Sequence, residues 1–107
     1  TGTHDNDTTI GWLTKTLSPE DKAILAAHLH TYTADAAKLC KELMEYAYNS
    51  DARTVILPLQ DVLLLDSSAR MNLPGTVGKN WRWYLLPGSL TEKSAAFLAN
   101  LCTKYNR

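Results

Sequence analysis

Long apolar runs are missing from this 107-residue chain, and no stretch approaches the roughly 18 residues that a membrane-spanning helix needs. Charge of one sign is missing too, since 11 basic side chains meet 11 acidic ones. That balance leaves no electrostatic footprint for nucleic acid or for an anionic membrane surface, and it suits a neutral partner. Cysteine is sparse: Cys40 and Cys102 form no CxxC pair and have no histidine at metal-ligand spacing. A disulfide scaffold and a zinc site are therefore not expected, and both thiols read as buried in a reducing compartment. No cofactor motif, internal repeat or low-complexity segment is present. What remains, with 45% hydrophobic residues, is enough for one compact unit spanning 1–107.

Three amphipathic helices are predicted. Ser18-Pro19-Glu20-Asp21 opens the first, with Ser18 as cap, Pro19 at the first helical position and Asp21 where a capping-box acid stands. Its stripe runs through Ile24, Leu25, Ala27, His28 and Leu29 and ends near His30, so His28 is expected to be partly buried with a hydrogen-bond partner. The second is expected over 34–48 with Thr33 as cap, because Ala36, Leu39, Cys40, Leu43, Met44 and Ala47 recur at helical steps. Tyr46 and Tyr48 near its end read as packing residues. The third spans about 92–105, capped by Ser89 or Thr91, with Ala95, Ala96, Leu98, Ala99, Leu101 and Cys102 facing inward and Asn106-Arg107 as a frayed end.

Between the second and third helices the pattern changes. Thr54-Val55-Ile56-Leu57 is a short continuous apolar run, the composition of a strand buried on both faces in a parallel sheet. Pro58 ends it, which puts Gln60 and Asp61 at its C-terminal end, the catalytic face if the sheet is a barrel. Asp61 reads equally as the cap of a short helical turn. Residues 66–83 form a long loop with Arg70, Asn72, Asn80, Trp81, Arg82 and Trp83, the kinds of side chain that gather ligand contacts. Trp81-Arg82-Trp83-Tyr84 also fits a strand with one aromatic face packed inward and Arg82 snorkelling outward. Both readings of Trp81 and Trp83 stand.

The chain opens with Thr1-Gly2-Thr3-His4-Asp5-Asn6-Asp7, one imidazole and two carboxylates in a strand-to-loop context before any helical pattern. An ordinary polar loop and the edge of an active site are both consistent with it. The string TGTHDNDTTIGW at 1–12, taken with PLQDVLLLDSSARMNLPGTVGKNWRW at 58–83, resembles the C-terminal part of the amylomaltases, the 4-alpha-glucanotransferases also called disproportionating enzymes. The resemblance covers nearly the whole chain.

It implies an α/β fold, namely the last two strand-helix units of a (β/α)8 TIM barrel, helix-rich with few strands. It also implies three catalytic carboxylates, of which the last follows a histidine in an HD pair. Here that pair is His4-Asp5. Asp5 would stabilise the oxocarbenium-like transition state of a retaining transfer, and His4, Asn72 and Trp81 would contact the sugar. The partner would be a maltooligosaccharide or 1,4-alpha-glucan. The nucleophile and the acid/base of the family precede the HD pair, so the chain is expected to be a fragment, silent alone, that associates with the missing N-terminal part or with itself. Tyr84 departs from the pattern, standing where many relatives have a basic residue. A non-catalytic glucan-binding or interaction module is the alternative, and a small independent hydrolase using Asp5, Asp7 and Asp61 is a third.

Overall fold

Leu13 lies in a stretch with no helical periodicity, yet it is fully buried with Leu39, Cys40 and Met44. The computed structural model, which describes all 107 residues, shows why. Thr8 caps a single turn, α1 (Thr9–Gly11), by accepting from the Gly11 amide, and the chain continues through a π-helical turn, Trp12–Thr16, that swings Leu13 inward. Gly11 permits the close approach. A Cβ there would stand 2.7 Å from Cγ of Asp7 and would also press on the Ser67 hydroxyl, displacing the hydrogen bond that joins them.

Helix α2 (Pro19–His28) starts as its sequence predicts, with Ser18 Oγ accepting from the Asp21 amide and donating to Asp21 Oδ2. Its packed side differs from the predicted stripe: Ala26 is buried, Leu25 and Leu29 are half-buried, and Ile24 faces solvent. His28 is exposed rather than partly buried, although it does have a partner, the Tyr46 hydroxyl at 3.3 Å. Helix α3 (Ala36–Tyr48) begins two residues later than predicted, because Asp35 rather than Thr33 accepts from the Lys38 amide. A carboxylate is the better cap for a helix N-terminus, where the free amides and the dipole are both positive. Leu39, Cys40 and Met44 of its stripe are buried, and α3 packs on both α1 and the last helix. Tyr48 packs on the core, whereas Tyr46 is exposed.

The short helix α4 (Leu59–Val62) and a 3-10 turn, Ser67–Ala69, follow. The last helix, α5 (Glu92–Tyr105), has the predicted bounds, with Thr91 and Ser94 forming a reciprocal capping box. Its inner face is Phe97, Leu98, Leu101, Cys102 and Tyr105; Ala95, Ala96 and Ala99 point outward. The end does not fray. Asn106 closes α5 in the left-handed conformation, and the Arg107 guanidinium donates to the carbonyls of Tyr48, Ser50 and Ala52, which satisfies the free end of α3.

No strand forms. Thr54 to Leu57, expected to be buried on both faces, is irregular, with Ile56 exposed and its carbonyl accepting only from the Thr1 amino group. A strand exists by lateral pairing, and this run has no second neighbour to pair with. Residues 82–86 keep a period of two without a ladder, Trp83 and Leu85 half-buried and Arg82, Tyr84 and Leu86 exposed. Only 13 residues are buried, so much apolar surface, including Tyr32, Val77, Tyr84 and Leu90, is left outside. No helix is long and apolar enough to cross a membrane.

Candidate active site

Two short polar segments build the site. In the first, Asn6 turns the chain: its Oδ1 accepts from the Thr3 amide and hydroxyl, and its amide donates to the Thr3 carbonyl. His4 and Asp5 project from that turn with side chains about half exposed. In the second, Asn80 closes the loop of 73–80, accepting from the Leu73 amide and donating to Thr76. The Trp81 amide donates to the Met71 carbonyl at 2.7 Å. Trp81 pays for this placement with a left-handed φ of 61°, an outlier for a bulky residue.

The segments meet edge to edge. The Asn72 amide donates to the His4 carbonyl at 3.1 Å, and Asn72 Nδ2 donates to Asp5 Oδ1 at 2.7 Å across 67 residues of sequence. His4 Nε2 lies 3.4 Å from the same oxygen. The Trp81 indole tilts against the imidazole with ring centroids 5.0 Å apart. His4, Asp5, Asn72 and Trp81 are thus brought together, and Trp81 is exposed rather than packed in the core. One Asp5 oxygen is held while Oδ2 has no protein partner, which is what a carboxylate needs to receive a hydroxyl or face a developing positive charge.

The other carboxylates are committed elsewhere. Asp7 accepts from the Thr8 amide and the Ser67 hydroxyl. Asp61 is 2% exposed and accepts from the Thr9 amide at 2.7 Å, the Thr9 hydroxyl at 2.8 Å and the Thr1 hydroxyl. It caps the start of α1 rather than its own helix, and the sequence places this tie 52 residues away. Neither Asp7 nor Asp61 faces Asp5 as a second catalytic group, so an independent hydrolase built from these three is not supported. Arg70, named in the sequence only as one of the loop's possible ligand contacts, instead ties the two segments together: it donates from Nη2 to the Asp5 carbonyl at 2.7 Å and from Nε to the Asn72 carbonyl at 2.8 Å. Its place beside Asn72 in the ARMN string was the available signal. No cluster of three or more His, Cys, Asp or Glu is placed to hold a metal ion.

Two hollows flank Arg70. A small one of about 150 Å³ is lined by His4, Asn6, Gln60 and Met71. A larger open groove of about 1080 Å³ runs between α5 and the 62–70 and 82–86 segments, past Trp83, Tyr84, Leu86 and Phe97.

A family model described as 4-alpha-glucanotransferase matches residues 1–89. Among curated relatives, the 4-alpha-glucanotransferase of Thermus thermophilus is 45% identical over 92% of this chain and 20% of its own length. The chloroplastic/amyloplastic 4-alpha-glucanotransferase DPE1 of Oryza sativa subsp. japonica is 45% identical over the whole chain and 18% of its own. An amylomaltase from Streptococcus agalactiae, solved in complex with acarbose, superposes with a TM-score of 0.90 at 35% identity, over 99% of this chain and 21% of that one. This chain spans about a fifth of the length of the curated relatives it matches. By sequence and by shape, it belongs to the 4-alpha-glucanotransferase family.

Proposed function

We propose that the chain acts as one part of a 4-alpha-glucanotransferase, transferring a segment of a 1,4-alpha-glucan or maltooligosaccharide to a sugar 4-hydroxyl by a retaining mechanism. The observation that carries this is the grip on Asp5: one oxygen held by Asn72, the other open, with His4 and Trp81 alongside. A retaining transfer needs a nucleophile and an acid/base about 5 Å apart around an oxocarbenium-like centre. Asp5 is the only one of Asp5, Asp7 and Asp61 with a free oxygen at the site, so it takes the third role, stabilising the positive charge while its Oδ2 accepts from a ring hydroxyl. His4 and Asn72 hydrogen-bond the same sugar, and Trp81 offers a face to a neighbouring ring. The nucleophile and the acid/base come from the remainder of the enzyme.

In this reading the chain is the C-terminal part of a (β/α)8 barrel. The extended segments are already laid side by side: Ile56 tied to Thr1, His4 to Asn72, Met71 to Trp81. Such neighbours become strands when further neighbours complete the ladder. The exposed apolar side chains along the large groove, Tyr84 and Leu86 among them, are the face that the remainder covers. A cytoplasmic setting belongs to the same proposal, and two free thiols suit a reducing one.

Asp5→Asn in the complete enzyme is expected to lower transfer roughly 10²–10³-fold while glucan still binds, the scale for losing one preorganised electrostatic contact. Undiminished transfer would sink the role given to Asp5.

A further inference from the structure

We infer that Arg70 is a positioning residue that sets the catalytic geometry of Asp5 by bracing the two segments of the site against each other. Asp5 sits in an exposed turn with few restraints of its own; its amide has only a long contact of 3.4 Å to the Thr3 hydroxyl. The carbonyl of Asp5 is fixed from outside the turn, by Arg70 Nη2 at 2.7 Å. The same guanidinium donates through Nε to the Asn72 carbonyl at 2.8 Å, on the residue whose side-chain amide holds the Asp5 carboxylate.

Nε and Nη2 lie on one rigid edge of a planar group, so their separation sets the separation of the two carbonyls. The Asn72–Asp5 bond then closes at one length rather than over a range. An ammonium group carries its three donors on one freely rotating nitrogen, so it can reach the carbonyls but does not fix their separation. Arg70 forms no ion pair with a carboxylate, so its action is geometric. Its side chain is half-buried between the two hollows, and its Nε and Nη2 donors are both taken by the two backbone carbonyls. Misplacement of a reacting group by about 1 Å is enough to cost roughly 10²-fold in rate.

This inference rests on the proposed role of Asp5, and the test separates the two. In the complete enzyme, Arg70→Met is expected to lower kcat roughly 10- to 100-fold with KM changed less than about threefold, the split of a contact that matters in the transition state. Arg70→Lys is expected to fall between Met and wild type with an unchanged thermal midpoint, so that a folding defect in the Met variant does not decide the matter. Because Arg70 acts mainly through Asp5, adding Arg70→Met to Asp5→Asn is expected to cost much less than it does in the wild-type background. Wild-type kcat in both Arg70 variants, or a full additional loss in the Asp5→Asn background, overturns the inference. Full activity of Asp5→Asn alone overturns the reading of Asp5 on which it stands.

Discussion

Trp81 carries the largest local cost in the site, a left-handed backbone on a bulky residue, and recovers it through the Met71 carbonyl bond and the contact with His4. Trp81 is 58% exposed, so removing its side chain empties no core. Trp81→Ala in the complete enzyme is therefore expected to weaken glucan binding by about 1 kcal/mol, the worth of one stacking face, read as a several-fold rise in KM with the thermal midpoint kept. A drop in thermal midpoint with unchanged KM would mark it as a packing residue. The two thiols differ in the same residue-level way. Burial, with the nearby Asp61 carboxylate, pushes the Cys40 thiol up to about 12, while Cys102 is only half-buried. Iodoacetamide on the folded protein is expected to label Cys102 and to spare Cys40 until denaturant is added; equal rates would refute the burial of Cys40.

At the scale of elements, α3 and α5 are joined at their C-terminal ends by Glu45, which accepts from the Tyr105 hydroxyl at 2.7 Å and pairs with Lys104. The hydrogen bonds from Lys104 and then Tyr105 hold the Glu45 carboxyl below its ordinary value of 4.5. A folded-state value lowered in this way stabilises the folded form at pH above 4.5 and loses that contribution as pH falls through the lowered value. Between pH 5 and pH 3 the thermal midpoint is expected to fall less steeply in Glu45→Gln than in the parent; parallel curves would mean the contact carries no weight. Elements also show where sequence was legible. The bounds of α5 followed from Glu92 and the apolar spacing, while the structure chose Thr91 over Ser89 as its cap. The turn of Thr9 to Thr16 was not legible, because β-branched residues and Gly11 give weak helix propensity, and its start is capped by Thr8 and tied to the distant Asp61.

For the whole molecule, a small core lies beside a groove of about 1080 Å³ and many exposed apolar side chains, the surface that the proposed reading assigns to contact with the remainder of the enzyme. The isolated chain is expected to bind a hydrophobic dye and to associate with rising concentration in sedimentation, and both signals are expected to vanish when the rest of the enzyme is co-expressed. A monomer that ignores the dye would show that the groove closes on itself.

The sequence by itself determined that there are three long helices, α2, α3 and α5, whose 3.6-residue spacing is local, and it supplied the HD pair and the ARMN string on which the family resemblance rests. Only the tertiary structure decided that Asn72 grips Asp5, that Arg70 braces both, and that Asp61 is a buried tie rather than a catalytic group. Apart from the local bond from Arg70 to the Asn72 carbonyl, these are contacts across 52 to 67 residues of chain. Local spacing does not encode them, because which polar groups meet depends on how the helices pack to bury Leu13, Leu39 and Met44.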